Sequence, residues 1–256
     1  VVLGTLWVVY LTGWQQLVSS SLVVVFLYGL PFMFGAMKEA DQDIALLFSF
    51  VFTTVFFVSN ILSIVHRNNP SPSVSHVFTA LGTGFYLIVW IMLAAASEWQ
   101  ALLYVAWMMV FSVGSFLIYK QTQNHIAFYI YGATSIVLLA AATASVLDGS
   151  ALTIAYTIEV GLLVILGYAV SNKVRVAEAL SWLFTVPIFL SFGNISSRAW
   201  REGFMHDDFF VLIILMAAMA FTSAYFFGKK LTGQIAETKL NVVLGVGTAI
   251  YGMILI

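Results

Sequence analysis

Cysteine is absent from the 256-residue sequence, which excludes disulfide staples, thiolate metal sites and cysteine nucleophiles together. Charge is nearly as scarce. Only 8% of the residues are Asp, Glu, Lys or Arg, and the formal net charge is −1. The ten cations are spread over separate loops and form no patch, so nucleic acid is not an expected partner. No His-Glu-x-x-His spacing or similar ligand signature occurs, which leaves no metal site and no cofactor to be read from the sequence. A basic n-region is missing too, so no signal peptide can be recognised. Apolar sequence runs up to both ends, which reads as a piece cut from a longer chain.

What is abundant is apolar surface: 62% of the residues are hydrophobic and mean hydropathy is +1.02. No soluble domain of this size could bury that much, so the expected solvent is lipid and the expected partners are membrane lipids. Continuous apolar runs, rather than alternating ones, argue for helices over barrel strands. They give ten candidate spans: Val1 to Leu11, Leu17 to Met37, Ile44 to Val65, His76 to Ser97, Ala101 to Tyr119, Ile126 to Leu147, Ala151 to Val170, Ala177 to Phe192, Phe209 to Phe227 and Leu240 to Ile256. Pro187 should kink the eighth and free a carbonyl near Leu183 and Phe184.

The clearest stretch runs from Asp148 to Arg175: an acid, about twenty apolar residues, which is one membrane crossing, and then Lys173 and Arg175. The same acid-to-base order recurs in Asp43 to Arg67, Glu98 to Lys120 and Asp208 to Lys229. Each base is followed by a polar connection and a returning helix. The expected fold is therefore an all-α integral membrane protein of tandem antiparallel hairpins in one orientation, that is, parallel repeats. The repeat-like units are 43–97, 98–147, 148–207 and 208–256 within a single helical region. Seven of the ten cations, Arg67, Lys120, Lys173, Arg175, Lys229, Lys230 and Lys239, fall in alternate loops, and these are assigned to the cytoplasmic side.

Few residues suggest chemistry. Glu159 is the one formal charge deep inside an expected span, where a carboxylate is costly and should seek helices, a cavity or partners. Tyr156, one turn earlier, is the nearest hydroxyl able to donate to it. The pair reads either as a proton or substrate-cation site or as packing glue. In the longest outer connection, Arg198, Arg201, His206, Asp207 and Asp208 bring together an acid, a base and two phosphate-binding cations, the ingredients of a transferase acting on lipid-linked substrates. His76 opens the fourth span. Gly82 with Gly84, and Gly245 with Gly247, offer surfaces for close helix approach. Asn194-Ile195-Ser196 matches a glycosylation sequon.

The segment Leu152-Thr153-Ile154-Ala155-Tyr156-Thr157-Ile158-Glu159-Val160-Gly161-Leu162-Leu163, with the basic connection and the Ala177 to Phe192 helix, resembles a family of large bacterial polytopic membrane proteins classed as a domain of unknown function. Its members stack transmembrane hairpins whose first helix opens on an aromatic-Ala-x-x-Glu-like pattern. The likeness is best over Asp148 to Phe192 and looser over Glu98 to Leu147. It implies a multi-pass protein of the bacterial inner membrane and no assigned activity. The function expected is a transporter-like or envelope-lipid-handling scaffold with a small-molecule or lipid substrate, with the intramembrane transferase and a purely structural role as alternatives.

Overall fold

A computed structural model describes residues 15–36, 41–66, 74–122, 125–195, 200, 206–231 and 240–255. Among them every regular element is a helix. In order these are α1 (Gln15–Pro31), continued by a π-helical turn over Phe32–Ala36, α2 (Gln42–His66), α3 (Val74–Ala94), α4 (Ser97–Thr122), α5 (His125–Val146), α6 (Gly149–Ser171), α7 (Val174–Ser181), a 3-10 turn (Trp182–Phe184), α8 (Thr185–Ile195), α9 (Asp207–Leu231) and α10 (Leu240–Leu255).

Among the described residues eight helical segments are long and apolar enough to cross a membrane, where the hydropathy runs give ten. The first run, Val1 to Leu11, lies outside the described residues. The last is α10, whose 16 residues reach about 24 Å at the α-helical rise, short of a roughly 30 Å hydrocarbon core. The eighth run is one crossing in three pieces, α7, the 3-10 turn and α8. Pro187 accounts for the break. It has no N–H to give Leu183, four residues back, and its ring crowds that carbonyl, so the turn before it tightens to 3-10.

Helix ends follow the dipole. Asp43, Glu98, Asp207 and Asp208 stand in first turns, and Lys120, Lys229 and Lys230 in last turns, each sign at the end that favours it. α6 closes on Asn172 in the left-handed conformation (φ 51°), with its N–H on the Tyr168 carbonyl. Asn tolerates that conformation better than most side chains.

The chain forms two compact units, Val1–Val146 and Leu147–Ile256. In the first, α1 and α3 run parallel: Ser19 meets Thr79, Leu22 meets Gly82, Phe26 meets Phe85, and Gly29 meets Trp90. α2 and α4 are parallel too, through Phe50 with Trp107, Phe57 with Phe111 and Ile61 with Gly114. α4 and α5 are antiparallel, with Phe111 on Tyr131 and Ser115 on Phe128. The core comprises Leu87, Ile91, Phe111, Ile118, Tyr131 and Leu138, with a second cluster around Phe56, Tyr86 and Trp90.

In the second unit α6 and α9 run parallel, Gly161 facing Thr222 and Tyr168 facing Phe226. α9 and α10 are antiparallel, with Met216 at Gly252, Met219 at Gly247 and Ser223 bonded to the Asn241 carbonyl. Within this unit Asp148 and Asp208 therefore stand at one end, and Lys173, Lys229 and Lys230 at the other. Large side chains facing outward, such as Leu162, Leu166, Phe189 and Phe221, suit lipid and would be a liability in water.

Candidate functional site

At the acidic end of the second unit, three helix termini converge on Asn194. This residue closes α8 and is 9% exposed. Its Nδ2 donates to Asp208 Oδ1 at the start of α9 (2.6 Å) and to Ser150 Oγ at the start of α6 (3.2 Å). Its carbonyl accepts from Trp200 Nε1 at 2.9 Å. The Trp200 ring stands edge-on to His206, with centroids 4.5 Å apart. Short polar side chains, Ser150, Asn194 and Asp208, join the three helix ends, where backbone groups lack partners within their own helices.

The chemistry of a transferase needs more than is assembled there. His206 Nδ1 accepts the Phe209 N–H at 3.4 Å and lies 3.7 Å from Asp208 Oδ2. A base oriented by a carboxylate instead donates from Nδ1 at hydrogen-bond distance. Asp207 is exposed in the first turn of α9. Arg198 and Arg201 lie outside the described residues. Ser150, Asn194 and Trp200, which join His206 and Asp208, were not singled out for this role by sequence; only the sequon drew attention to Asn194. That amide nitrogen, the atom a glycan would need, is committed to two acceptors.

Glu159 stands about halfway along α6 and is half-buried, as is Tyr156. The two interact electrostatically. The packed stripe of α6 is Thr153, Thr157, Val160, Gly161, Val164 and Tyr168. At 3.6 residues per turn, Glu159 lies roughly 150° around the helix from the centre of that stripe. The carboxylate is thus not aimed into the second unit's core.

A more deeply buried polar group occurs in the first unit. Asn60 of α2 is 0% exposed. Its Nδ2 donates to the His76 carbonyl on α3 (3.1 Å) and to Tyr131 Oη on α5 (2.8 Å). His76, also buried, brings Nε2 within 3.2 Å of Ser63 Oγ. Alongside, Ser19 donates to the Ser75 carbonyl at 3.2 Å and sits 3.1 Å from Thr79 Oγ1. Four helices are tied by this network, and of its members only His76 stood out from sequence. The missed signal is spacing: Ser49, Thr53 and Asn60 share with Phe56 and Ile64 the 3.6-residue stripe that α2 buries.

The outer edge of the α1–α3 pair carries an apolar groove of about 550 Å³, lined by Leu22, Phe26, Val77, Phe78, Gly82 and Phe85 among others. Parallel helices held close at Gly82, where an added Cβ would lie 2.8 Å from Leu22, leave this trough between their outward side chains. No family model, curated protein or solved structure matches the chain.

Proposed function

We propose that this chain is a non-enzymatic, multi-pass scaffold of the bacterial inner membrane that handles lipid, holding an acyl chain in the α1–α3 groove. The observation that carries the reading is the groove itself. Its lining is almost wholly apolar, it runs along two helices long enough to cross a membrane, and its volume is in the range of small-molecule sites. In that setting the available apolar ligand is a lipid tail. Same-sense hairpins fit a scaffold of this kind and are supported by the parallel runs of α2 with α4 and of α6 with α9. Seven cations against three favour the Lys173 and Lys230 ends as the cytoplasmic ones.

A photoactivatable fatty acid or phospholipid incorporated into nanodiscs with the protein tests the reading. Crosslinks should concentrate on Val77, Phe78 and Phe85 relative to Leu162, Leu166 and Phe221, which face outward elsewhere. Val77→Trp should fill the groove and return the yield there to the background level. Uniform labelling of all outward apolar residues would mean ordinary surrounding lipid and would end the proposal.

A further inference from the structure

The Asn60 network is one hydrogen bond short in two complementary places. Asn60 Oδ1 is fully buried and has no partner. The amide cannot be turned over to cure this, because Nδ2 faces the His76 carbonyl, which can only accept. Tyr131 Oη accepts from Asn60, but its own O–H reaches no acceptor among the described bonds. The ring cannot swing to find one. It is 1% exposed and packed between Phe57 and Phe111, at centroid distances of 5.6 and 6.1 Å.

An unpaired acceptor and an unpaired donor on two side chains already bonded at 2.8 Å define one ligand chemistry: a hydroxyl that donates to the first and accepts from the second. We propose that Asn60 Oδ1 and the Tyr131 hydroxyl hold a water molecule inside the bundle. The site lies six residues from the end of α2 and six from the start of α5, about 9 Å below that end of the unit. Leaving a buried donor and a buried acceptor unpaired costs more than immobilising the one water that would satisfy both. Thr53 Oγ1, two turns along the same buried stripe of α2, is unpaired as well, so the demand for hydration continues along that face. None of this depends on the lipid groove, which lies on the outer side of α1 and α3.

The experiment is radiolytic hydroxyl labelling of the nanodisc-embedded chain in ¹⁸O-water, read by mass spectrometry. Tyr104 is the internal standard: it is equally buried, but its O–H is satisfied by the Ile88 carbonyl at 3.1 Å. ¹⁸O should appear on Tyr131 several-fold above Tyr104, and Asn60→Leu should bring the two to the same level. ¹⁶O on Tyr131 at that excess, with dissolved oxygen removed, would show that the label does not come from water and would overturn the assignment. Equal labelling of Tyr131 and Tyr104 in the unaltered chain would overturn it too, and that comparison stands even if the Asn60 variant does not fold. So would an excess that persists in a folded Asn60→Leu protein.

Discussion

Adding one methyl group at Gly114 and at Gly228 should have opposite consequences, although both glycines lie inside long apolar helices. A Cβ at Gly114 falls against the Phe57 ring, with Cε2 at 3.0 Å, and 3.2 Å from Ile61 Cδ1. Carbon atoms prefer about 3.5–4.0 Å, so the ring must retreat. It has little room, because Phe111 and Tyr131 hold its two sides at centroid distances of 4.9 and 5.6 Å. Overpacking of this kind costs about 1–3 kcal/mol. At Gly228 nothing lies within 4 Å of the added carbon, and only the helix propensity changes, by up to about 1 kcal/mol in favour of Ala. Helices that persist in the membrane-unfolded state reduce that gain at both sites equally, so the difference between the variants is the robust quantity. Gly228→Ala should exceed Gly114→Ala by roughly 1–3 kcal/mol. Reversible unfolding in mixed micelles, followed by tryptophan fluorescence, measures the difference. A Gly114→Ala protein as stable as Gly228→Ala would show that α2 and α4 do not approach as described.

Asn194→Asp places a carboxylate where the amide now donates 2.6 Å to Asp208. It should destabilise the second unit by about 1.5–3 kcal/mol at pH 8, the range for hydrogen bonds to charged groups. Two carboxylates at that distance raise the pKa of one in the folded state. The folded state then binds the extra proton, and stability recovers as pH falls below the raised value, a trend opposite to ordinary acid unfolding; a variant that loses stability on acidification would refute it. Expressed through a eukaryotic secretory route, Asn194 should carry no glycan, because its nitrogen is committed to Ser150 and Asp208; a mass shift removed by endoglycosidase would contradict this. Glu159→Gln, off the packed stripe of α6, should change stability by less than about 1 kcal/mol, whereas Phe226→Ala, at a fully buried position in the same unit, should cost about 3–5 kcal/mol. Comparable losses in the two variants would place Glu159 in a packed contact.

How far the sequence could be read depended on what each feature obeys. Membrane crossings obey summed hydrophobicity, so the runs from Ile44 to Val65 and from Ala151 to Val170 reappear as α2 and α6 with only their ends moved. The ends extend outward because charged residues there are helical rather than excluded: Glu98 enters the first turn of α4 and Lys120 its last, each at the dipole end that favours it. Pro187 was legible because a missing N–H is a local fact. Faces were not, since a uniformly apolar helix gives no moment to orient it, and the inward stripe of α6 is defined by Thr153, Thr157 and Gly161 rather than by hydrophobicity. The cluster at Asn194 was half-legible: His206 and Asp208 are close in sequence, whereas Ser150 reaches them only through the parallel packing of α6 and α9.

Glu159 and Asn60 also differ in what they constrain. Glu159 stands off the packed stripe of α6, so few of its neighbours are fixed by it. The Asn60 carboxamide is enclosed on every side. Its two N–H groups and its oxygen must be met by partners or their desolvation is borne in full, and that requirement fixes where α3 and α5 stand around α2. Ranking intramembrane residues by formal charge therefore favours the group with the more tolerant surroundings. The buried neutral amide is the stricter reporter of helix arrangement, and its one unmet bond is correspondingly the more specific sign that something else is bound.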